Sequence, residues 1–271
     1  MKKGGTMVRV LTGIALLGFL VPCVWIGPVT RLCFFYTVIW FAAREMSDAL
    51  NRMGFMTSPW IARALALVMC VLFYLRDETA FYISTACIIV MFGLLAALFK
   101  KIQMRDALGS CIICFYPTLF LLGYCYLSVQ SDALFWPVLL ITLFAAAGCD
   151  MFAYFCGRAF GRHKLCPSIS PHKTIEGSVF GTLLGSALGM LAWVFLKDVA
   201  PIPWYVYLIV SFFCTIAGQL GDLCASMIKR QAGIKDFSDL LPGHGGIIDR
   251  IDSFCFAMPV VYFALSLFHA I

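Results

Sequence analysis

Asp222 stands four residues before Ser226 and seven and eight before Lys229 and Arg230, in the stretch CTIAGQLGDLCASMIKR. On an α-helix these offsets share one face, so a carboxylate, a hydroxyl and two cations form a polar stripe. A second stripe runs from Asp150 through Tyr154 to Arg158. It leads into the loop GRAFGRHKLCPSISPHKTIEG, where Arg158, Arg162, Lys164 and Lys173 face a single carboxylate, Glu176. Downstream, KRQAGIKDFSDLLPGHGGIIDRIDS (229–253) holds eight charges and His244 in an otherwise oily chain.

Pro242-Gly243-His244-Gly245-Gly246 is a turn-forming run whose glycines can expose successive backbone N–H groups, and such nests bind phosphate oxygens. Lys229, Arg230 and Lys235 precede it; Asp249, Arg250 and Asp252 follow. Asp222 and Asp249 can offer two hard oxygen ligands to Mg²⁺, which takes one or two carboxylates and completes its shell with substrate phosphates. Cations, a metal and backbone donors together suit phosphoryl or nucleotidyl transfer, where catalysis is mostly positioning and charge stabilisation. His244 is a candidate acid, base or phosphate donor. A plain cytoplasmic loop is also basic, so charge alone does not choose.

The elements that must position these residues are membrane helices. Of the 271 residues 62% are hydrophobic and only 13% charged, where a soluble domain carries about 25% charged residues. Apolar runs fall near 7–27, 29–43, 59–76, 79–99, 106–128, 132–156, 177–196, 203–228 and 253–271, most of them long enough to cross a hydrocarbon core about 30 Å thick. Placing the N-terminus in the cytoplasm leaves only Arg31, Arg76 and Lys197 of the 20 Lys and Arg on the outer side, as the positive-inside rule requires. The expected fold is therefore all-α: a polytopic integral membrane protein of about nine transmembrane helices with a cytoplasmic N-terminus. The first run is read as a retained helix rather than a cleaved signal, because Pro22 before Cys23 suits neither cleavage nor lipidation.

Residues 1–130 are expected to form an N-terminal scaffold, and 131–271 a catalytic region with cytoplasmic loops 157–176 and 229–252. The connectors 42–58 and 100–110 read as short amphipathic or interfacial pieces, with Glu45 an exposed interfacial carboxylate at a helix end. Carboxylates inside helices are different. Asp150 and Asp222 would each cost about 2.5–3.5 kcal/mol at a helix centre, so they are expected to face a partner or a wet cavity. Glycines 177, 181, 185 and 189 line one helix face and predict close helix packing. The 13 cysteines lie almost wholly in apolar runs and read as small hydrophobes; Cys111-x-x-Cys114 has no second pair beside it.

The C-terminal pattern resembles the phosphatidate cytidylyltransferases. Ser226, Lys229-Arg230, Lys235-Asp236, Pro242-Gly243-His244-Gly245-Gly246 and Asp249-Arg250-Ile251-Asp252 match that family's signature. Its upstream elements appear at Asp150–Gly161 and Ser170–Gly177. The resemblance covers about the last 120 residues and implies conversion of CTP and phosphatidic acid to CDP-diacylglycerol and pyrophosphate. It implies Mg²⁺, with room for a second cation, held by Asp222 and Asp249. Lys229, Arg230, Lys235, His244 and Arg250 would be the catalytic groups; Arg158, Lys173, Ser226, Gly243, Gly245 and Gly246 would bind substrate. The partners implied are CTP, phosphatidic acid and the bilayer, with no nucleic acid and with a homodimer allowed for. A bacterial cytoplasmic membrane, with the site facing the cytoplasm, is the expected location. Two alternatives compete: a cytidylyltransferase for another lipid phosphate, and a cation-coupled transporter using Asp150 and Asp222. A transporter should show repeats and broken helices in both halves, whereas the polar chemistry here lies in one.

Overall fold

The computed structural model describes residues 3–75, 104–198 and 202–267; the apolar run at 79–99, and Lys2, Arg76, Lys100 and Lys101 of the charge count, lie outside them. The chain is an all-α polytopic membrane protein. Among the described residues, five helices are long and apolar enough to cross a membrane by length and composition. One antiparallel pair of short strands lies among the described helices. The chain divides into two compact units, Met1–Val129 with Gln231–Arg250, and Gln130–Arg230 with Ile251–Ile271.

The first unit is built around α2 (Pro28–Arg52), against which α1 (Lys3–Ile26), α3 (Trp60–Tyr74) and α4 (Met104–Ile113) pack. A π-helical turn, Cys114–Leu119, joins α4 to α5 (Phe120–Gln130). Pro28 opens α2 and Arg52 closes it, each residue type at the end it favours. Leu32, Phe35, Ile39, Ala42, Ala43, Met46, Ala49 and Leu50 are all buried, an apolar stripe with helical period. That stripe does not stop at residue 43. The connector expected at 42–58 is thus mostly the continuation of α2; it is amphipathic as far as residue 50, burying Glu45, Met46, Ala49 and Leu50 and exposing Arg44 and Asp48. The described part of the 100–110 connector is likewise helical, and its Asp106 is buried and accepts the N–H of Met56 at 2.8 Å.

The second unit pairs α6 (Asp132–Phe160) with α7 (Ile175–Met190), followed by α8 (Ala192–Leu196) and α9 (Trp204–Gln231). It also takes α10 (Ile248–Leu267) from Ile251 onward. The glycine stripe packs as expected. A Cβ on Gly181 would lie 2.8 Å from the carbonyl oxygen of Cys149, and one on Gly185 would lie 2.8 Å from the Cys149 nitrogen and 2.9 Å from the Ala145 carbonyl oxygen. These neighbours are backbone and cannot swing aside. Gly185→Leu should therefore destabilise the α6–α7 pair by at least the ~1–3 kcal/mol typical of overpacking. Size-exclusion of detergent extracts should show little monodisperse protein, while Leu183→Ala, at a position 56% exposed, should extract normally.

The described cysteines are all free thiols. Cys114, Cys125, Cys149, Cys214 and Cys255 are buried, in keeping with the packing role expected of them.

Candidate functional site

Two groups of polar side chains stand out, one in each unit. In the second unit, β1 (Lys164–Cys166) and β2 (Ser170–Thr174) form a hairpin between α6 and α7. The Ile175 N–H donates to the His163 carbonyl at 2.9 Å. Glu176 accepts the N–H groups of Arg162 and His163 and lies 2.6 Å from His163 Nδ1. Thr174 caps α7, its buried hydroxyl accepting the Gly177 N–H at 3.1 Å. Gly157 and Gly161 let α6 close on that cap; a Cβ on either would come within 2.8 Å of Thr174 Oγ1.

The hairpin points His172 outward and half-buries Lys173. Lys173 Nζ then reaches Asp222 Oδ2 on α9 at 2.5 Å, with about a quarter of each side chain exposed. The Ser226 hydroxyl donates to Asp222 Oδ1 at 3.3 Å, so the stripe expected on α9 exists and its first two members are bonded. At the end of the same helix, Arg230 Nε donates to the Ile169 carbonyl at 3.3 Å. The hairpin is thereby tied to α9 at both ends of the stripe.

Behind Asp222, α9 meets α10 through Gly221, where a Cβ would lie 2.5 Å from the Asp252 carbonyl oxygen. Asp252 is 8% exposed and accepts the Ser253 N–H at 2.8 Å; the Ser253 hydroxyl donates to Asp150 Oδ2 at 3.3 Å. Asp222, Lys229 and Asp150 act on Asp252 electrostatically. Three carboxylates, two lysines and two hydroxyls thus gather in this unit. Deeper along α9, Gln219 bonds Ser178 and Thr182 of α7 and Cys149 of α6, a polar contact holding the three helices together. Arg158 is exposed in the last turn of α6.

In the first unit, Leu241 and Gly245 pair across a tight turn, with Gly243 at φ 78° and Gly245 at φ 82°, a region glycine enters without strain. The His244 and Gly245 N–H groups donate back to the Leu241 carbonyl. Asp249 Oδ2 accepts the N–H of Phe237 at 2.8 Å and of Gly246 at 2.9 Å. The N–H groups of Ile247 and Ile248 go to Glu45 at 2.9 and 2.8 Å, and the Ser238 hydroxyl joins them at 2.6 Å. The loop expected to hold open N–H groups for phosphate instead turns those of residues 244–248 onto a carbonyl and two carboxylates of its own chain. His244 is half-buried, and its Nδ1 has no hydrogen-bond partner among the described residues. Lys235 and Arg250 are exposed.

Glu45 is not the exposed helix-end carboxylate expected from the sequence. It is 4% exposed rather than open to solvent, because α2 runs on past residue 43 and buries it beside the glycine loop. No local pattern announced its partners, which lie some 200 residues away. Ser238 and Ser253 also escaped the sequence reading. Thr174 and Glu176 were legible in principle, since a hydroxyl and an acid just ahead of an apolar run are an N-terminal helix signal.

Among the described residues, no group of three or more His, Cys, Asp or Glu side chains is placed to hold a metal ion. The donors are hard oxygens, however, and one or two carboxylates with phosphates filling the remaining positions is the coordination Mg²⁺ prefers. The residues fit a metal that arrives with phosphates rather than one caged by protein alone.

A carboxylate–lysine pair beside a basic hairpin, in a helical membrane protein, suits an enzyme that handles phosphates at a bilayer. Residues 7–268 match the cytidylyltransferase family model, and the chain belongs to that family. It is 34% identical over 256 residues to a phosphatidate cytidylyltransferase of Staphylococcus haemolyticus (strain JCSC1435), covering 94% of this chain and 96% of that protein. A phosphatidate cytidylyltransferase of Staphylococcus saprophyticus is 31% identical over the same shares, and one of Bacillus subtilis (strain 168) is 45% identical over 119 residues, 44% of each chain.

Proposed function

We propose that the chain transfers the cytidylyl group of CTP to the phosphate of phosphatidic acid, forming CDP-diacylglycerol and releasing pyrophosphate. The observation that carries this reading is the meeting of Lys173 and Asp222 at 2.5 Å. It joins the two parts of the signature, the hairpin element and the α9 element, in one charged group at a membrane helix. The relatives' shared name, carried by the two Staphylococcus proteins over nearly the whole length of both chains, supports the reaction.

A lipid phosphate oxygen attacks the α-phosphorus of CTP; the bond to the β-phosphate breaks, and pyrophosphate leaves with the electron pair. Negative charge spreads over the phosphate oxygens as this happens, so fixed cations do most of the work. Lys173 and Arg158 are proposed to hold the lipid phosphate or complete the nucleotide pocket. Lys229, Arg230, Lys235 and Arg250 are proposed to neutralise the triphosphate and the departing pyrophosphate, with Ser226, Gly243, Gly245 and Gly246 in contact with substrate. His244 is proposed as a proton or hydrogen-bond donor to a phosphate oxygen. Asp222 and Asp249 are the carboxylates proposed to hold Mg²⁺, with a second cation allowed. When bound, the metal supplies charge to the phosphate oxygens. Lys173 meanwhile gives Asp222 a counter-charge at 2.5 Å.

The proposed location is a bacterial cytoplasmic membrane with the site on the cytoplasmic side. Every residue in this reading comes from one chain, so the homodimer is not required by it.

The test is purified protein in detergent with Mg²⁺, phosphatidic acid and labelled CTP. Lipid-extractable cytidine with an equal amount of pyrophosphate is expected. Label appearing only when another lipid phosphate replaces phosphatidic acid would move the reading to that acceptor. CTP that fails to bind at all would sink it.

A further inference from the structure

We propose that Glu45 is a positioning residue for the reaction, which places the glycine loop and, through it, Asp249; this rests on the function proposed above. Glu45 is remote in sequence and almost fully buried. Its Oε1 accepts the Ser238 hydroxyl at 2.6 Å and the Ile247 N–H at 2.9 Å; its Oε2 accepts the Ile248 N–H at 2.8 Å. A Cβ on Gly246 would lie 2.7 Å from both carboxylate oxygens, so the glycine is what lets the carboxylate seat against the backbone.

A burial of this kind is costly unless every oxygen is matched with donors, and here both are. The simpler account is a helix cap. The N–H groups of Ile247 and Ile248 open α10, and an anion there is favourable. The cap alone does not describe the arrangement, because the loop also has a local anchor: Asp249 in the first turn of α10, which accepts the N–H of Gly246 and of Phe237, both upstream of the helix. That local anchor fixes the loop to the start of α10 and says nothing about where it lies on the rest of the unit. Glu45 supplies that missing coordinate, since it sits on α2, the helix the unit is built around. Its contacts span Ser238 and Ile247–Ile248, the two sides of the Leu241–Gly245 turn. Asp249 is the next residue after the clamp, so its backbone is placed by the Glu45 bonds to Ile247 and Ile248 and its carboxylate by the loop N–H groups it accepts.

The two carboxylates divide the labour. Asp249 organises the loop internally; Glu45 registers the whole loop against α2. Loss of Glu45 should leave the helices intact and let the loop drift. A residue orienting a ligand from behind typically accounts for about 10–100-fold in metal affinity or activity.

The experiment compares Glu45→Gln, Glu45→Asp and Ser238→Ala with the natural chain, all purified in detergent. Four quantities are read: kcat, KM for CTP, the Mg²⁺ concentration giving half-maximal rate, and the rate of tryptic nicking at Lys235. Glu45→Gln puts an amide N–H₂ where one backbone N–H needs an acceptor. Activity per folded molecule should fall about tenfold to a hundredfold, with a raised Mg²⁺ requirement and faster nicking. Glu45→Asp keeps the charge and should recover part of the loss. Ser238→Ala removes one bond only, and should shift the Mg²⁺ requirement a few-fold even if the Glu45 variants fail to fold.

Variants that lose only the yield of folded protein, with kcat, KM and Mg²⁺ requirement unchanged per folded molecule, would overturn the proposal. If the natural chain makes no lipid-linked cytidine, the functional reading fails by itself. Nicking at Lys235 then decides about the clamp alone, and an unchanged rate in Glu45→Gln would refute it.

Discussion

Asp222→Asn is expected to lower the rate of lipid-linked cytidine formation by about a hundredfold or more, the scale on which losing one charge-stabilising element of a site is felt. The substitution is nearly isosteric, and an amide oxygen can still accept the Ser226 hydroxyl that now lies 3.3 Å from Oδ1. The charge is what is lost, and with it the partner of Lys173 at 2.5 Å. Two consequences separate in experiment. If Asp222 serves only as the counter-ion of Lys173, then Lys173→Met should cripple the enzyme to the same extent, and the double variant should be no worse than either single one. If Asp222 also holds the metal, Asp222→Asn should be the more damaging and should raise the Mg²⁺ requirement, whereas Lys173→Met should act mainly on substrate KM. A double-mutant cycle on kcat/KM resolves the two. Near-normal turnover in Asp222→Asn would remove Asp222 from the site. Lys173→Arg is not a safe control, because a planar guanidinium does not fill the place of a compact ammonium.

What could be read from residue types was the chemistry carried on single elements. The Asp222–Ser226 stripe is a matter of helical spacing, and spacing survives folding. The glycines of α7 are likewise a one-helix pattern, and they pack against α6 as such patterns do. Asp249 entering the last helix follows from the turn residues just ahead of it. Reading failed wherever a residue's meaning depends on a distant partner. Glu45 looked like a helix-end carboxylate because the apolar stripe of α2 was cut at residue 43; Met46, Ala49 and Leu50 continue it and carry Glu45 into the interior. Lys173 was recognisable as a cation in a basic loop, but only the hairpin turns it toward α9. The glycine loop is the instructive case. Its composition permits open N–H groups, yet composition cannot say whether those groups await a ligand or are already taken by Asp249 and Glu45.

Asp249→Asn and Asp249→Ala are expected to fall by similar large factors, about a hundredfold or more, and to differ in what happens to the loop. In the natural chain one oxygen, Oδ2, accepts the N–H groups of both Phe237 and Gly246. An asparagine whose carbonyl oxygen takes that place can accept both bonds, so the loop should keep its shape while the site loses a negative charge. Alanine removes charge and acceptor together and leaves two N–H groups without it, each an appreciable cost when buried. Tryptic nicking at Lys235 should therefore be unchanged in Asp249→Asn and accelerated in Asp249→Ala, although both are inactive. This pattern separates a residue that binds a metal from one that merely holds a turn. If asparagine preserves both loop and activity, Asp249 is structural and the metal must be sought among Asp222, Asp150 and Asp252. If asparagine abolishes activity with the loop intact, the charge itself is required. Raising Mg²⁺ should then restore part of the rate only if Asp249 contributes one ligand among several, as expected for an ion whose remaining positions are filled by phosphate and water.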